Sequence, residues 1–321
     1  MSDRVLRHVV ESISPASPAY AEGARQLVAG AGMPLLERLA KTIAGAQHTP
    51  RPRAERRTIV VVAGDHGAGD PGIALGASHP TVVAAHAIAD GTAALSQVAR
   101  ASHAPVLLVD AGAKESAHMP ETAVKLGRGA TADLTRGPAM TIVDAALGLE
   151  AGIALAVSLA DSGLDVIAFG ALGVGADVAS VALLGAALGA PPTGFSDPVA
   201  EAAGAAGAEL AGASGLDLLA AFGGAETCVL AGAMLSAASM NVPIVLDGYA
   251  TGAAALVAAV LAPQITGYFV AAHAGTFTHP RILAHLGLQP VFEVGLGHGE
   301  GTGAAMVLPL LDQVAALVAR A

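Results

Sequence analysis

Directly after the apolar, β-branched run Thr58–Val62 the chain reads Ala63-Gly-Asp-His-Gly67. A strand that stops on a glycine turn and hands over to a helix is the repeating unit of an open α/β protein, and the pattern recurs along this chain. Strand-like runs are expected at Thr58–Ala63, Val106–Asp110, Val166–Phe169, Pro243–Asp247, Gly267–Ala272 and Val291–Val294. Between them lie Ala-rich stretches of helical character: Val82–Arg100, Asp144–Ser162, Asp177–Leu188, Glu226–Ser239 and Ala253–Leu261, with Ala304–Ala319 closing the chain. Short, continuously apolar strands alternating with helices predict a parallel sheet covered on both faces. The fold class is therefore α/β: a doubly wound, mostly parallel sheet. A small helical domain is expected from the N-terminal segment and part of the C-terminal region. Residues 1–50 form its helical segment, residues 57–321 the Rossmann-like domain, and the C-terminal helix packs on the small domain.

One stretch breaks the rhythm. Residues 191–221 carry Gly204, Gly207, Gly212 and Gly215, each of which weakens a helix by about 1 kcal/mol relative to Ala. The segment reads either as a loosely built helical excursion or as a mobile cover over a site.

Composition narrows the class. Apolar residues make up 54% of the 321 positions, yet aromatics are only 3% and there are 40 glycines, so small side chains must pack helices closely on the sheet. The uncharged stretch Thr227–Leu246 is long enough to span a bilayer, but Ser236, Ser239, Asn241 and Pro243 within it favour a buried helix followed by a strand. Asp3, Arg4, Arg7 and Glu11 leave no signal-peptide core at the N-terminus. A single cysteine, Cys228, excludes an intrachain disulfide and fits a reducing compartment, so a cytoplasmic location is expected. With a formal net charge of −10, a basic face for nucleic acid is not expected, nor is a membrane partner. High apolar content and many small-residue helices predict a homodimer with an apolar interface.

Ligands of open α/β proteins bind beyond the carboxyl ends of the strands, which selects the candidates. Asp65 and His66 follow the first strand, and the turn Gly170-Ala-Leu-Gly-Val-Gly175 follows another and opens a helix near Asp177. Gly223-Gly224 precede a helix on which Glu226 is placed to cap, and Asp247 ends a strand before Gly248. Glu300, in Gly299-Glu-Gly-Thr-Gly303, is the best candidate base. A carboxylate buried among small residues is expected to be harder to ionise and so suited to accepting a proton near neutrality. The 11 histidines show no HxH or HExxH arrangement, and neither His273 with His279 nor His79 with His86 has an accompanying carboxylate pattern, so no metal and no cofactor is expected. A nicotinamide dehydrogenase is excluded by the missing GxGxxG after the first strand.

Three blocks carry a family resemblance: Val62-Ala-Gly-Asp-His-Gly67; Gly223-Gly-Ala-Glu226 through Val245-Leu-Asp-Gly248 and Ala253-Ala-Ala-Leu-Val257; and Gly299-Glu-Gly-Thr-Gly-Ala304. In order and spacing, over roughly residues 20–319, the chain resembles the nicotinate-nucleotide:dimethylbenzimidazole phosphoribosyltransferases, which make the lower-ligand nucleotide of cobalamin. The resemblance implies a doubly wound domain with a small helical one, a homodimer, and Glu300 as the base that deprotonates an azole while its other nitrogen attacks C1′ of the donor ribose. It places the aromatic acceptor, a benzimidazole-like azole or a phenol, beside Asp65, His66, Leu75 and His298. The nucleotide-like donor falls along Gly170, Gly173, Gly175, Asp177, Gly223, Gly224, Asp247 and Gly301.

The departures from the family pattern concentrate on the donor side. The family's G-E-M-G-I-G-N-T-T is Gly170-Ala-Leu-Gly-Val-Gly-Ala-Asp-Val178 here, and its G-R-G-T-G stretch has become Pro191–Phe195. Arg136 is the only Lys or Arg from 129 to 280. H-x-S-x-E-P-G-H is His273-Ala-Gly-Thr-Phe-Thr-His-Pro280, V-S-x-Y-P is Ile73–Ala77, the expected Arg-Leu near Glu300 is Gly297-His298, and Ala29-Gly30 replaces K-P-x-G. Two readings follow. One is an active phosphoribosyl transferase working on an azole or phenolic acceptor. The other is a catalytically impaired paralogue that binds a ligand, or one subunit of a heteromer completed by a homologous partner. Nicotinate mononucleotide is expected to bind weakly or not at all, because charge-assisted contacts to its phosphate are missing, while an aromatic acceptor still binds beside Glu300.

Overall fold

The computed structural model describes residues 2–320 apart from 70–71, 128, 276–277 and 298. Its sheet is built from β1 (Arg57–Gly64), β2 (Val106–Gly112), β3 (Val124–Lys125), β4 (Val166–Leu172), β5 (Ile244–Leu246) and β6 (Phe269–Ala271). The strands lie in the order β3-β2-β1-β4-β5-β6, every pair parallel. The alternation of side chains along a strand divides the core in two. Val60, Val62, Ile167, Phe169, Ile244 and Leu246 face one layer of helices, and Ile59, Val61, Val166, Ala168 and Val245 face the other. Both faces are thus buried, which is why these strands read as unbroken apolar runs.

The first layer is made by α1 (Ser2–Ser12), α6 (Ile142–Asp161), α7 (Ala176–Leu188), α8 (Pro198–Glu209), α9 (Gly215–Phe222), α10 (Ala225–Ser239) and α11 (Gly248–Leu261). The second holds α2 (Pro18–Val28), α3 (Pro34–Ala46), α4 (Pro80–Ala89), α5 (Ala94–Ala101) and α13 (Thr302–Arg320). A short α12 (His279–His285) packs on α11. The N-terminal helices are divided between the layers: α1 packs on α6 and α10, while α2 and α3 meet α13. The stretch Thr227–Leu246 is a buried helix followed by a strand, as its polar residues require. By length and composition alone α6 and α13 could cross a bilayer. Here they cover the sheet, and α6 lies across α10 so closely that a Cβ on Gly152 would overlap the carbonyl of Val229.

The structure corrects the sequence reading in four places. β3 was too short to show as a run. The expected helix Val82–Arg100 is two helices, broken at Gly91 with φ +77°. Residues 291–294 are not a strand: Val291 and Phe292 donate to the carbonyls of Ala271 and Ala272 at 2.9 and 3.0 Å, with an isolated bridge from His273 to Phe292. Finally, Gly204 and Gly207 of the 191–221 stretch lie within α8 and serve close packing. A Cβ on Gly207 would overlap Ala182 O, and one on Gly185 would overlap Gly204 O, so they let α7 and α8 approach backbone to backbone.

Candidate active site

The strand order reverses between β1 and β4, and at such a switch point the loops diverge to opposite faces and leave a crevice. A cavity of about 190 Å³ lies there, walled by Pro80, Thr81 and Ala84 of α4, Ala171–Val174 at the end of β4 and just beyond it, Tyr249 at the start of α11, and Gly297, Gly299 and Glu300. Glu300 reaches this wall because the loop that carries it is clamped between strand ends. Ala171 N donates to Gly299 O at 2.9 Å, and a Cβ on Gly170 would overlap the Glu300 carbonyl. The Glu300 side chain is half-buried rather than sealed, less enclosed than its glycine frame implied. Its carboxylate has no hydrogen-bond or ion-pair partner among the described residues.

Asp65 is spent on architecture. Its carboxylate, 1% exposed, accepts from Thr81 Oγ1 at 2.6 Å, Val174 N at 2.9 Å and Lys114 N at 2.8 Å. His66 turns the other way, with Nε2 2.9 Å from Glu226 Oε1 in full burial. Burial acts to push the His66 pKa down, but the Glu226 carboxylate outweighs it and the net shift is upward. Burial likewise acts to raise Glu226, and His66 outweighs it, so the carboxyl titrates below its usual range. Two glycines make room for this pair: a Cβ on Gly224 or on Gly64 would run into the Glu226 carboxylate. The cap expected of Glu226 is supplied instead by Thr227, whose Oγ1 accepts from Gly224 N at 3.1 Å.

Of the other candidates, Gly173 is on the cavity wall. It must be glycine, since a Cβ there would overlap Gly64 O. Gly175, at φ +82°, is the N-cap of α7, and Asp177 stands in that helix's first turn. Gly301 packs behind the wall on Ile59 and Leu95. Gly223 packs on the end of α9. Leu75 is 61% exposed and away from the wall, and His298 lies outside the described residues. Asp247 is fully buried and sits 2.6 Å from His273 Nε2. This supplies in space the carboxylate partner that the local sequence around His273 does not show. Sequence reasoning missed Tyr249, whose only signal was its place just after Asp247-Gly248. Burial, then the charges of Asp177 and Glu226, push its hydroxyl up to about 12, so it faces the cavity as a neutral donor. Among the described residues no three His, Cys, Asp or Glu side chains are grouped to hold a metal.

A larger cavity of about 500 Å³ opens beside α6, lined by Leu126, Met140, Leu147 and Cys228 among others. It is mainly apolar, and its one carboxylate is Asp144, which is tied up by Thr141 as a helix cap.

The chain matches the sequence profile of DBI_PRT, described as phosphoribosyltransferase, over residues 14–321. It belongs to that family. The nicotinate-nucleotide–dimethylbenzimidazole phosphoribosyltransferase of Roseiflexus sp. (strain RS-1) is 36% identical over 86% of this chain and 82% of its own length. The enzyme of that name from Desulforudis audaxviator is 33% identical over 98% and 95%. The crystal structure of such an enzyme from Thermus thermophilus superposes with a TM-score of 0.83 at 29% identity, covering 94% of this chain and 96% of that one. The family is one of transferases, and the doubly wound fold is shared along nearly the whole chain.

The buried His66–Glu226 pair yields a pH prediction. The raised His66 pKa gives stability that is complete below the ordinary value of 6.5 and lost as pH rises through the folded value. The lowered Glu226 pKa gives stability that is complete above 4.5 and lost as pH falls through its folded value. Glu226→Ala is therefore expected to destabilise by about 3–5 kcal/mol, most strongly between those two values. Urea unfolding across a pH series checks this, and a difference that is flat with pH would contradict it.

Proposed function

We propose that this chain transfers the ribosyl phosphate of nicotinate mononucleotide to an azole of the dimethylbenzimidazole type, the step that builds the lower-ligand nucleotide of cobalamin. The observation that carries the reading is the Glu300 carboxylate, without a partner among the described residues, on the wall of a small cavity at the switch point. At about 190 Å³ the cavity is below the roughly 300–1,000 Å³ of drug-sized sites, which suits one small ring system. With the azole seated there, Glu300 takes the proton from one ring nitrogen while the other attacks C1′ of the ribose. The C1′–N bond to the pyridinium breaks, and nicotinate leaves with the bonding electrons.

Of the acceptor-side residues, Asp65 and His66 serve as the edge that shapes the cavity, Tyr249 is added on its wall, and Leu75 lies off that wall. Donor contacts are assigned to Gly170, Gly173, Gly175 and Asp177, with Gly223, Gly224, Asp247 and Gly301 as the frame behind them. Residues 1–50 serve as the helical part of a small domain and 57–321 as the Rossmann-like domain, supported by the packing of α2 and α3 on α13. A cytoplasmic location fits the lone, buried Cys228.

One observation favours the second reading, that of a subunit impaired in donor binding or completed by a partner. Among the described residues the cavity wall offers no Lys or Arg, and the helix that follows the Gly170–Gly175 turn carries the acid Asp177 in its first turn. Calorimetric titration of azole and mononucleotide separately, with turnover assays, decides between them. The transferase reading predicts that Glu300→Gln lowers kcat by about 100- to 10,000-fold while azole binding persists. Full turnover in Glu300→Gln would remove the base assignment, and azole binding with neither mononucleotide binding nor turnover would favour the impaired subunit.

We also propose a homodimer. Ile142, Val143, Leu147 and Val157 expose an apolar face of α6, from 44% to 67% accessible, beside the larger cavity. Light scattering at micromolar concentration is expected to give twice the 31.2 kDa chain mass, and a clean monomer would refute it.

A further inference from the structure

Asp247 and His273 leave the neighbouring strands β5 and β6 and meet out of reach of solvent, 0% and 1% exposed. Nε2 of the imidazole is 2.6 Å from Oδ1 of the carboxylate. The two groups are in close contact but not aligned for a directed hydrogen bond, and both oxygens of Asp247 and both ring nitrogens of His273 lack such a partner among the described residues. His279 stands edge-on to His273, ring centres 5.3 Å apart. Burial, then His273, push its pKa down to about 3, so it is a neutral wall to the pair.

What lies over this pair is the segment that carries Glu300. A Cβ on Gly303 would fall 2.6 Å from His273 Cδ2 and 2.7 Å from Asp247 Oδ1. One on Gly299 would fall 2.8 Å from the Asp247 carbonyl oxygen. The first turn of α13 therefore rests directly on the carboxylate–imidazole pair, where a helix presents unpaired N–H groups and the positive end of its dipole. Glu300 lies between the two contact points, with its side chain on the cavity wall. Neither Asp247 nor His273 lines that cavity.

We infer that His273 is a positioning residue: it holds the Asp247 carboxylate under the N-terminus of α13, and this pair sets the place of the Glu300 carboxylate against the acceptor. The inference rests on Glu300 being the base. A buried carboxylate left without its imidazole swings or draws in water, and the loop above it shifts. Misplacement of a reacting group by an ångström costs about 100-fold in rate.

The test is a kinetic cycle on the full chain with nicotinate mononucleotide and dimethylbenzimidazole, using His273→Ala, His273→Gln, Glu300→Gln and the double variants. His273→Ala is expected to lower kcat about 100-fold with both KM values within about threefold. His273→Gln, whose amide places an N–H against the carboxylate, recovers most of the loss. Adding His273→Ala to Glu300→Gln costs no further rate, because residues that act as a unit are not additive. Should His273→Ala not fold, as thermal unfolding would show, Asp247→Asn keeps the volume and runs the same cycle with the same expected non-additivity. Loss of rate by the same factor in both backgrounds, loss confined to the donor KM, or His273→Gln no better than His273→Ala would overturn the inference. Glu300→Gln alone reports on the base assignment; if it turns over at the full rate, that assignment and this inference fall together.

Discussion

Segments from three parts of the sheet meet on the carboxylate of Asp65. The hydroxyl of Thr81 from α4, the backbone N–H of Val174 after β4 and that of Lys114 after β2 all donate to it. Bonds from neutral donors to a buried carboxylate are charge-assisted and strong, and all three come from the protein itself. By tying the loops on both sides of the strand reversal to the end of β1, Asp65 sets the width of the crevice there. Thr81 and Val174 are themselves cavity walls, so this one anion shapes the cavity without touching what it holds.

Around that anchor the site is built from acids and small residues. Asp65 and Glu226 are compensated internally, by N–H and O–H donors and by His66 respectively, and Asp247 lies against His273. Glu300, which lines the cavity, has no such partner among the described residues. An uncompensated carboxylate beside a neutral phenol suits a ligand that brings its own acidic N–H and no negative charge, which is the character of a benzimidazole. A phosphate fits such a place poorly unless backbone N–H groups or a second chain supply what the lining side chains do not.

Much of this was legible in the residues because a buried parallel strand has only one way to look. β1, β2, β4 and β5 announced themselves as apolar β-branched runs, and the glycine clusters at their ends marked the edge that carries the cavity. The three-block pattern around Asp65, Asp247 and Glu300 identified the family. What could not be read was any feature made by two distant segments at close range. Glycines at 204 and 207 look like helix breakers until α7 is laid against α8. Glu226 reads as a helix cap until His66 arrives from β1, and His273 reads as a lone histidine until Asp247 meets it from the adjacent strand. Tyr249 carried too little local pattern to stand out, and its role comes from where α11 starts.

The placement of the acceptor is what the rest hangs on. A crystal structure of the protein soaked with dimethylbenzimidazole tests it most directly. The account predicts the bicycle in the cavity between Pro80–Ala84 and Tyr249, with a ring nitrogen within hydrogen-bond distance, about 2.6–3.2 Å, of a Glu300 carboxylate oxygen. Density for the ligand in the apolar cavity beside Cys228 and α6, with the space next to Glu300 holding only solvent, would contradict it.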